Sequence, residues 1–285
     1  MKAALWITLA AVTVSAQTPQ IGRGVNFYSV QKEAALGASM AAEFQGQVTP
    51  IDSAAVRDFV NRIGSRLSAQ IPGAPFPFTF AVIAGDLSSA THEPVALPGG
   101  YIFVPAELIL AANDEAELAG MLAHSMVHVA ERHATRTATR AEIAGQATIP
   151  LLFQGGWTGY GIRQTAGVQI PIGFLQFQRG LETRADQLAV AISSAAGYDP
   201  SALVRYIGRM RTNEPGTTSK VFSAMPLPAD RVSSMQTAIQ ALPQQTYTVP
   251  DADEFARIQA EVRRLAPAKP VAALYGQRPA LKRAN

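Results

Sequence analysis

The segment Leu122-Ala123-His124-Ser125-Met126-Val127-His128 constrains this chain more than any other. It belongs to a strongly apolar helical pattern opening at Asn113, which reads as the N-cap, with Asp114, Glu115 and Glu117 at the positive end of the helix dipole. The pattern carries that helix to about His133. Four residues turn a helix by about 400°, so His124 and His128 share one face, roughly 6 Å apart along the axis. Such a pair is the first half of a zinc site of the HExxH type, in which imidazoles bind at about 2.0–2.1 Å. Two helix-face histidines bonded to backbone or solvent would have the same spacing.

A third ligand would separate these readings. His133 follows His124 by about 900° of rotation, which puts it on the opposite side of a continuous helix, and no glycine stands there to break it. Glu182 is the better candidate. It opens Glu182-Thr183-Arg184-Ala185-Asp186, which sets a second carboxylate one turn later on the same face. In such a pair the first acid can bind a metal while the second holds a ligand histidine by its other ring nitrogen. An ordinary Glu–Arg–Asp surface pattern is the alternative.

Around these residues the chain reads as mostly helical with a small sheet in its first half. Helical apolar spacing covers Tyr28 to Phe44 and Ala54 to Leu67, and period-two alternation through Phe76, Phe78, Phe80 and Val82 reads as a strand. A second extended run, Tyr101 to Val104, follows the turn residues Pro98-Gly99-Gly100. A Gly-rich segment, 145–177, precedes a helix that starts near Leu181 and stops at Gly197. Asp199-Pro200 restarts the chain, and further helices fit Ala229 to Leu242 and Asp253 to Leu265.

Composition narrows the function classes. Apolar residues make up 48% of the 285 and charged ones 16%, enough for a sizeable core and too apolar for wholesale disorder. Net charge is only +3. The basic excess gathers in the tail, at Arg263, Arg264, Lys269, Arg278, Lys282 and Arg283, with no acid after Val262. A body without a basic footprint gives no support for nucleic-acid binding. Cysteine is absent, which excludes disulfides, thiolate metal ligands and thiol nucleophiles. Met1-Lys2, the apolar run Ala3 to Val14 and Ser15-Ala16 read as a signal peptide over residues 1–16, too short for a membrane anchor. The expectation is an exported chain, periplasmic if the source is Gram-negative and extracellular otherwise. Its domain would span 17–265, followed by a basic, flexible tail over 266–285.

Taken together, these segments resemble the zinc metallopeptidase family of the HtpX heat-shock protease, the CAAX prenyl endopeptidase and their soluble exported relatives, metallopeptidase family forty-eight. The resemblance rests on Ala96 to Val104, Asn113 to Gly120, the Glu182–Asp186 helix, Gly197-Tyr198-Asp199-Pro200 and Phe255-Ala256-Arg257-Ile258, and covers about Gly24 to Leu265. It implies an α+β, mostly helical zincin-like domain with a small sheet and a metal-binding helix pair. It further implies one zinc ion on His124, His128 and Glu182, with Asp186 behind them. A peptide would add as a strand near Leu97, Gly99, Gly100 and Tyr101. Its implied activity is peptide-bond hydrolysis in unfolded or misassembled proteins.

The pattern is broken in two places. The family has Glu directly after its first motif histidine, where this chain has Ser125. That Glu is the general base, and a serine hydroxyl has no suitable pKa near neutrality. The family also commonly has Ser-x-His-Pro where this chain has Ser223-Ala224-Met225-Pro226, although Arg231 six residues on does match. Glu131, about 700° past His124, sits a turn beyond His128 and is placed to bind solvent or an arginine. His92 reads as a loop histidine, and Glu93-Pro94-Val95-Ala96 replaces the Asn-Ala-Phe-Ala run often found in relatives. The expectation is a zinc-binding member with impaired or absent catalysis. The alternative is a non-catalytic, zinc-stabilised module of the cell envelope, chaperone-like or regulatory, that binds a peptide or partner protein. Whether any hydrolysis remains, and the oligomeric state, are left open.

Overall fold

A computed structural model describes residues 24–84, 92–143, 172–210 and 228–266. The expected signal peptide, most of the Gly-rich segment, Met225 and the tail beyond residue 266 lie outside the described residues. Helix α1 (Val30–Gln45) starts at Ser29, whose hydroxyl accepts a hydrogen bond from the Lys32 amide. Strand β1 (Thr49–Pro50) leads into α2 (Ala54–Ser68), capped by Ser53. Val56, Phe59, Val60, Ile63 and Leu67 of α2 recur at helical spacing and are all buried, so one stripe faces the core.

Strands β2 (Thr79–Ala84), β3 (Val95–Leu97) and β4 (Tyr101–Pro105) complete a four-stranded sheet of order β1-β2-β4-β3. β4 runs parallel to β2 and antiparallel to β3, with Leu97 opposite Tyr101. Both faces of the sheet are covered. Val82, Ile102 and Val104 point into the main core with α2, whereas Ile83, Leu97 and Phe103 meet Ala41, Met40 and Phe44 of α1. The expected strand through Phe76 and Phe78 begins only at Thr79, where pairing with β4 starts.

A short 3₁₀ turn, Pro98–Gly100, joins β3 to β4 under α1. Gly37 of α1 lies so close to it that a side-chain carbon there would overlap the Pro98 carbonyl. Gly37→Ala should therefore lower stability by about 1–3 kcal/mol, as overpacking does. Thermal unfolding checks this, and an unchanged midpoint would mean that α1 stands further from the turn.

Helix α3 (Ala106–Ala111) leads to α4 (Glu115–Ala130), the buried central helix. Its N-cap is Asp114, which accepts from the Glu117 amide, one residue later than expected. The Asn113 amide instead donates to the Glu117 carboxylate at 2.7 Å. Helices α5 (His133–Ile143), α6 (Ile172–Ala195), α7 (Ser201–Met210), α8 (Pro228–Gln240) and α9 (Ala252–Leu265) follow. Helix α6 starts nine residues before the expected Leu181 and ends before Gly197, whose φ of +80° suits a glycine. It packs along α4, which brings the two motif helices face to face. No helix among the described residues is long and apolar enough to cross a membrane.

Candidate metal centre

His124 and His128 lie on consecutive turns of α4 and point the same way, with their Nε2 atoms 3.0 Å apart. From α6, Glu182 places Oε2 at 3.6 Å from His124 Nε2 and 3.5 Å from His128 Nε2. Those separations are too long for hydrogen bonds, and this buried oxygen makes none among the described residues. A fourth group arrives from the loop before β3: Glu93 Oε1 stands 3.0 Å from His124 Nε2. One ligand atom from each of Glu93, His124, His128 and Glu182 falls within 4.8 Å of the others.

Charge and spacing suit a divalent cation. Zinc bonds of about 2.0–2.1 Å in a tetrahedron set ligand atoms about 3.3 Å apart. The three separations from His124 Nε2 and the one between His128 and Glu182 run from 3.0 to 3.6 Å, and Glu93 lies within 4.8 Å of the other two. Burial pushes the Glu182 carboxyl up, but the two imidazoles beside it hold it well below the usual carboxylate range. Burial disfavours the His124 cation, yet Glu93, Asp186 and Glu182 outweigh it and raise the imidazole well above its ordinary value. The pocket is thus an anionic cradle awaiting positive charge, supplied by a proton or a metal ion.

Behind the rings, Asp186 Oδ1 lies 2.9 Å from His124 Nδ1. Arg231 of α8 clamps the same carboxylate with two bonds of 2.7 Å, and both side chains are buried. Arg231, Asp186 and His124 thus stand in one row, with Asp186 against Nδ1 of the ring whose Nε2 meets Glu93 and His128.

Comparison with known proteins gives the family. A family model described as Peptidase family M48 matches residues 51–239. The chain belongs to peptidase family M48. It is 25% identical over 228 residues to a beta-barrel assembly-enhancing protease of Yersinia pestis, covering 75% of this chain and 46% of that one. The corresponding Escherichia coli strain K12 protease is 22% identical over 214 residues, 72% of this chain and 43% of the relative. The mitochondrial metalloendopeptidase OMA1 of Saccharomyces cerevisiae is 27% identical over 156 residues, 52% of this chain and 43% of OMA1. The chain thus matches less than half the length of these curated relatives.

M48 peptidases are zinc-dependent. Ser125 is buried, and its hydroxyl donates to the Met121 carbonyl at 3.1 Å. It is turned onto its own helix, away from the ring nitrogens. Glu131 is held by Arg136 at 3.4 Å and Arg184 at 3.3 Å and does not join the cluster.

Two residues differ from their expected places. His133 does not lie on the far side of a continuous helix, because α4 ends at Ala130 and Arg132 takes φ of +56°. The break needs no glycine. Arg132 bonds Glu33 and the Tyr28 carbonyl, each at 2.6 Å, and these contacts offset the strained backbone. The chain then folds back, so that His133 Nδ1 meets His128 Nδ1 at 3.1 Å. Burial and the neighbouring His128 hold the His133 imidazole well below its ordinary value, keeping it neutral.

Glu93 is the residue that sequence reasoning missed. His92 before it has φ of +49°, and Pro94 after it leads directly into β3. The only local signal was an acid in place of the relatives' Asn.

The residues expected near a peptide fall in three settings. Tyr101 sits on β4, which is paired on both sides and can accept no further strand. Gly99 and Gly100 form the turn under α1, and a Cβ on Gly100 would overlap the Pro77 carbonyl. Leu97 belongs to β3, the edge strand, so added backbone would have to meet Val95–Leu97.

Proposed function

We propose that this M48 protein is an exported, zinc-binding member of the family whose peptidase activity is impaired or lost. One zinc ion would be held by His124, His128 and Glu182, with Asp186 orienting His124. The chemistry that zinc would supply there is Lewis-acid polarisation of a carbonyl oxygen. His124 and Glu182 are fixed by packing between α4 and α6, and His133 steadies the outer ring of His128. Proton transfer is what the chain no longer supplies.

The observation that carries the reading is Ser125, buried and bonded to Met121 where the family has its catalytic acid. A general base contributes about 10²–10⁴ in rate, or roughly 3–5 kcal/mol of barrier. Polypeptide is the class of ligand this cleft suits, because β3 is an edge strand among the described residues and packs against α4, the helix that carries His124 and His128. The names of its relatives favour a role with unfolded or misassembled proteins of the cell envelope, as a weak peptidase or as a non-catalytic binding module.

The test is zinc content together with hydrolysis of an unfolded protein, with and without chelator. About one zinc per chain and no chelator-sensitive cleavage are expected. Cleavage abolished by chelator would overturn the loss of activity, and protein free of zinc after reconstitution would remove the metal site.

A further inference from the structure

We propose that Glu93 is a fourth protein ligand, which closes the zinc site with two imidazoles and two carboxylates. This rests on the metal-binding reading above and changes what the site is for.

Distance is the first argument. Glu93 Oε1 lies as far from His124 Nε2 as His128 Nε2 does, 3.0 Å in both cases. That is the separation of two atoms bound to one ion. A general base must stand about 2.6–3.2 Å from the nucleophile it serves, one atom further from the ligand shell. Glu93 Oε1 stands in direct contact with a ligand atom of His124 and within 4.8 Å of those of His128 and Glu182, the range of the ligand shell itself.

Charge is the second argument. Asp186 is already neutralised by Arg231, in a pairing that is entirely buried. Glu182 alone would leave one positive charge on a zinc ion in a pocket where His124 has no exposure. Uncompensated buried charge is costly. A second carboxylate brings the ion and its ligands to neutrality.

Support is the third. Glu93 enters two residues before β3, whose pairing with β4 runs from Val95 to Leu97. Pro94 restricts the backbone between them. The carboxylate is thus delivered from the approach to β3 and not from either motif helix. Catalytic zinc sites keep three protein ligands and an open position, whereas structural sites are filled by four. Ser125 and Glu93 then describe one change: the base is gone and the position it would have served is taken.

The protein loaded with cobalt(II) in place of zinc tests this by its visible spectrum, with acetohydroxamate as a small bidentate probe of an open coordination position. The unmodified protein should give the intense absorption of a four-coordinate site, unchanged by acetohydroxamate. Glu93→Ala should still take up metal, respond to acetohydroxamate, and lose at least about 10–100-fold in zinc affinity, the loss that even an indirect partner brings. A spectrum of the unmodified protein that shifts with acetohydroxamate would overturn the proposal, whatever the variant does. If the unmodified protein retains neither cobalt nor zinc, the metal-binding reading itself fails and takes the fourth ligand with it.

Discussion

Ser125→Glu alone should leave hydrolysis of an unfolded protein near background, whereas Ser125→Glu combined with Glu93→Asn should raise it by about 10²–10⁴. Two obstacles stand in series. The single substitution returns an acid to the helix position beside His124, but Glu93 remains 3.0 Å from the same ring nitrogen. Glu93→Asn alone would open the centre without supplying a proton acceptor, so it too should stay silent. The double variant removes both obstacles, and its gain, roughly 3–5 kcal/mol of barrier, should far exceed the sum of the single effects. Equal rates for Ser125→Glu and the double variant would show that Glu93 does not obstruct the centre. Zinc content must be measured in each protein, so that lost metal is not mistaken for lost chemistry.

Arg231→Ala should destabilise the protein by about 3–5 kcal/mol, the usual cost of leaving one member of a buried ion pair alone. Arg231 is 4% exposed and Asp186 is fully buried, and the pair closes through two bonds of 2.7 Å. Removing the guanidinium strands the carboxylate. Denaturant unfolding gives the number, and a loss below about 1 kcal/mol would mean that solvent reaches the pair. Replacing both, as Asp186→Leu with Arg231→Met, should recover much of that stability, because well-packed apolar groups often substitute for a buried pair. Zinc affinity should nevertheless fall by about 10–100-fold, since no carboxylate then stands against His124 Nδ1. Stability and metal affinity would move apart, which separates a positioning role from simple packing.

The parts legible in the sequence are those fixed by local periodicity. The spacing of His124 and His128, the Glu182–Asp186 turn and the buried stripe of α2 follow from helical repeat alone, and their side chains fall where the repeat puts them. Boundaries were less legible, because they depend on partners. β2 begins at Thr79 only because Tyr101 stands opposite it. The two substantive misses have the same cause. Nothing near Arg132 announces a break, since the contacts that stabilise it come from Glu33 and Tyr28, about a hundred residues earlier. Glu93 carries no ligand spacing relative to His124, thirty-one residues away, and only the packing of β3 against α4 unites them. Local pattern fixes which face a side chain occupies; it is blind to what another segment brings to that face.

That union of distant segments bears on how the chain stays folded. The four side chains that can share an ion come from the approach to β3, from α4 and from α6, far apart in sequence. A bound ion would act as a cross-link, tying two long loops at one point. Links of this kind remove freedom chiefly from the unfolded chain, by about 3–5 kcal/mol for closed loops of some 15–100 residues. Exported proteins often obtain such cross-links from disulfides, which a chain without cysteine cannot form. On the function proposed above, this M48 protein would keep its metal as a fastener.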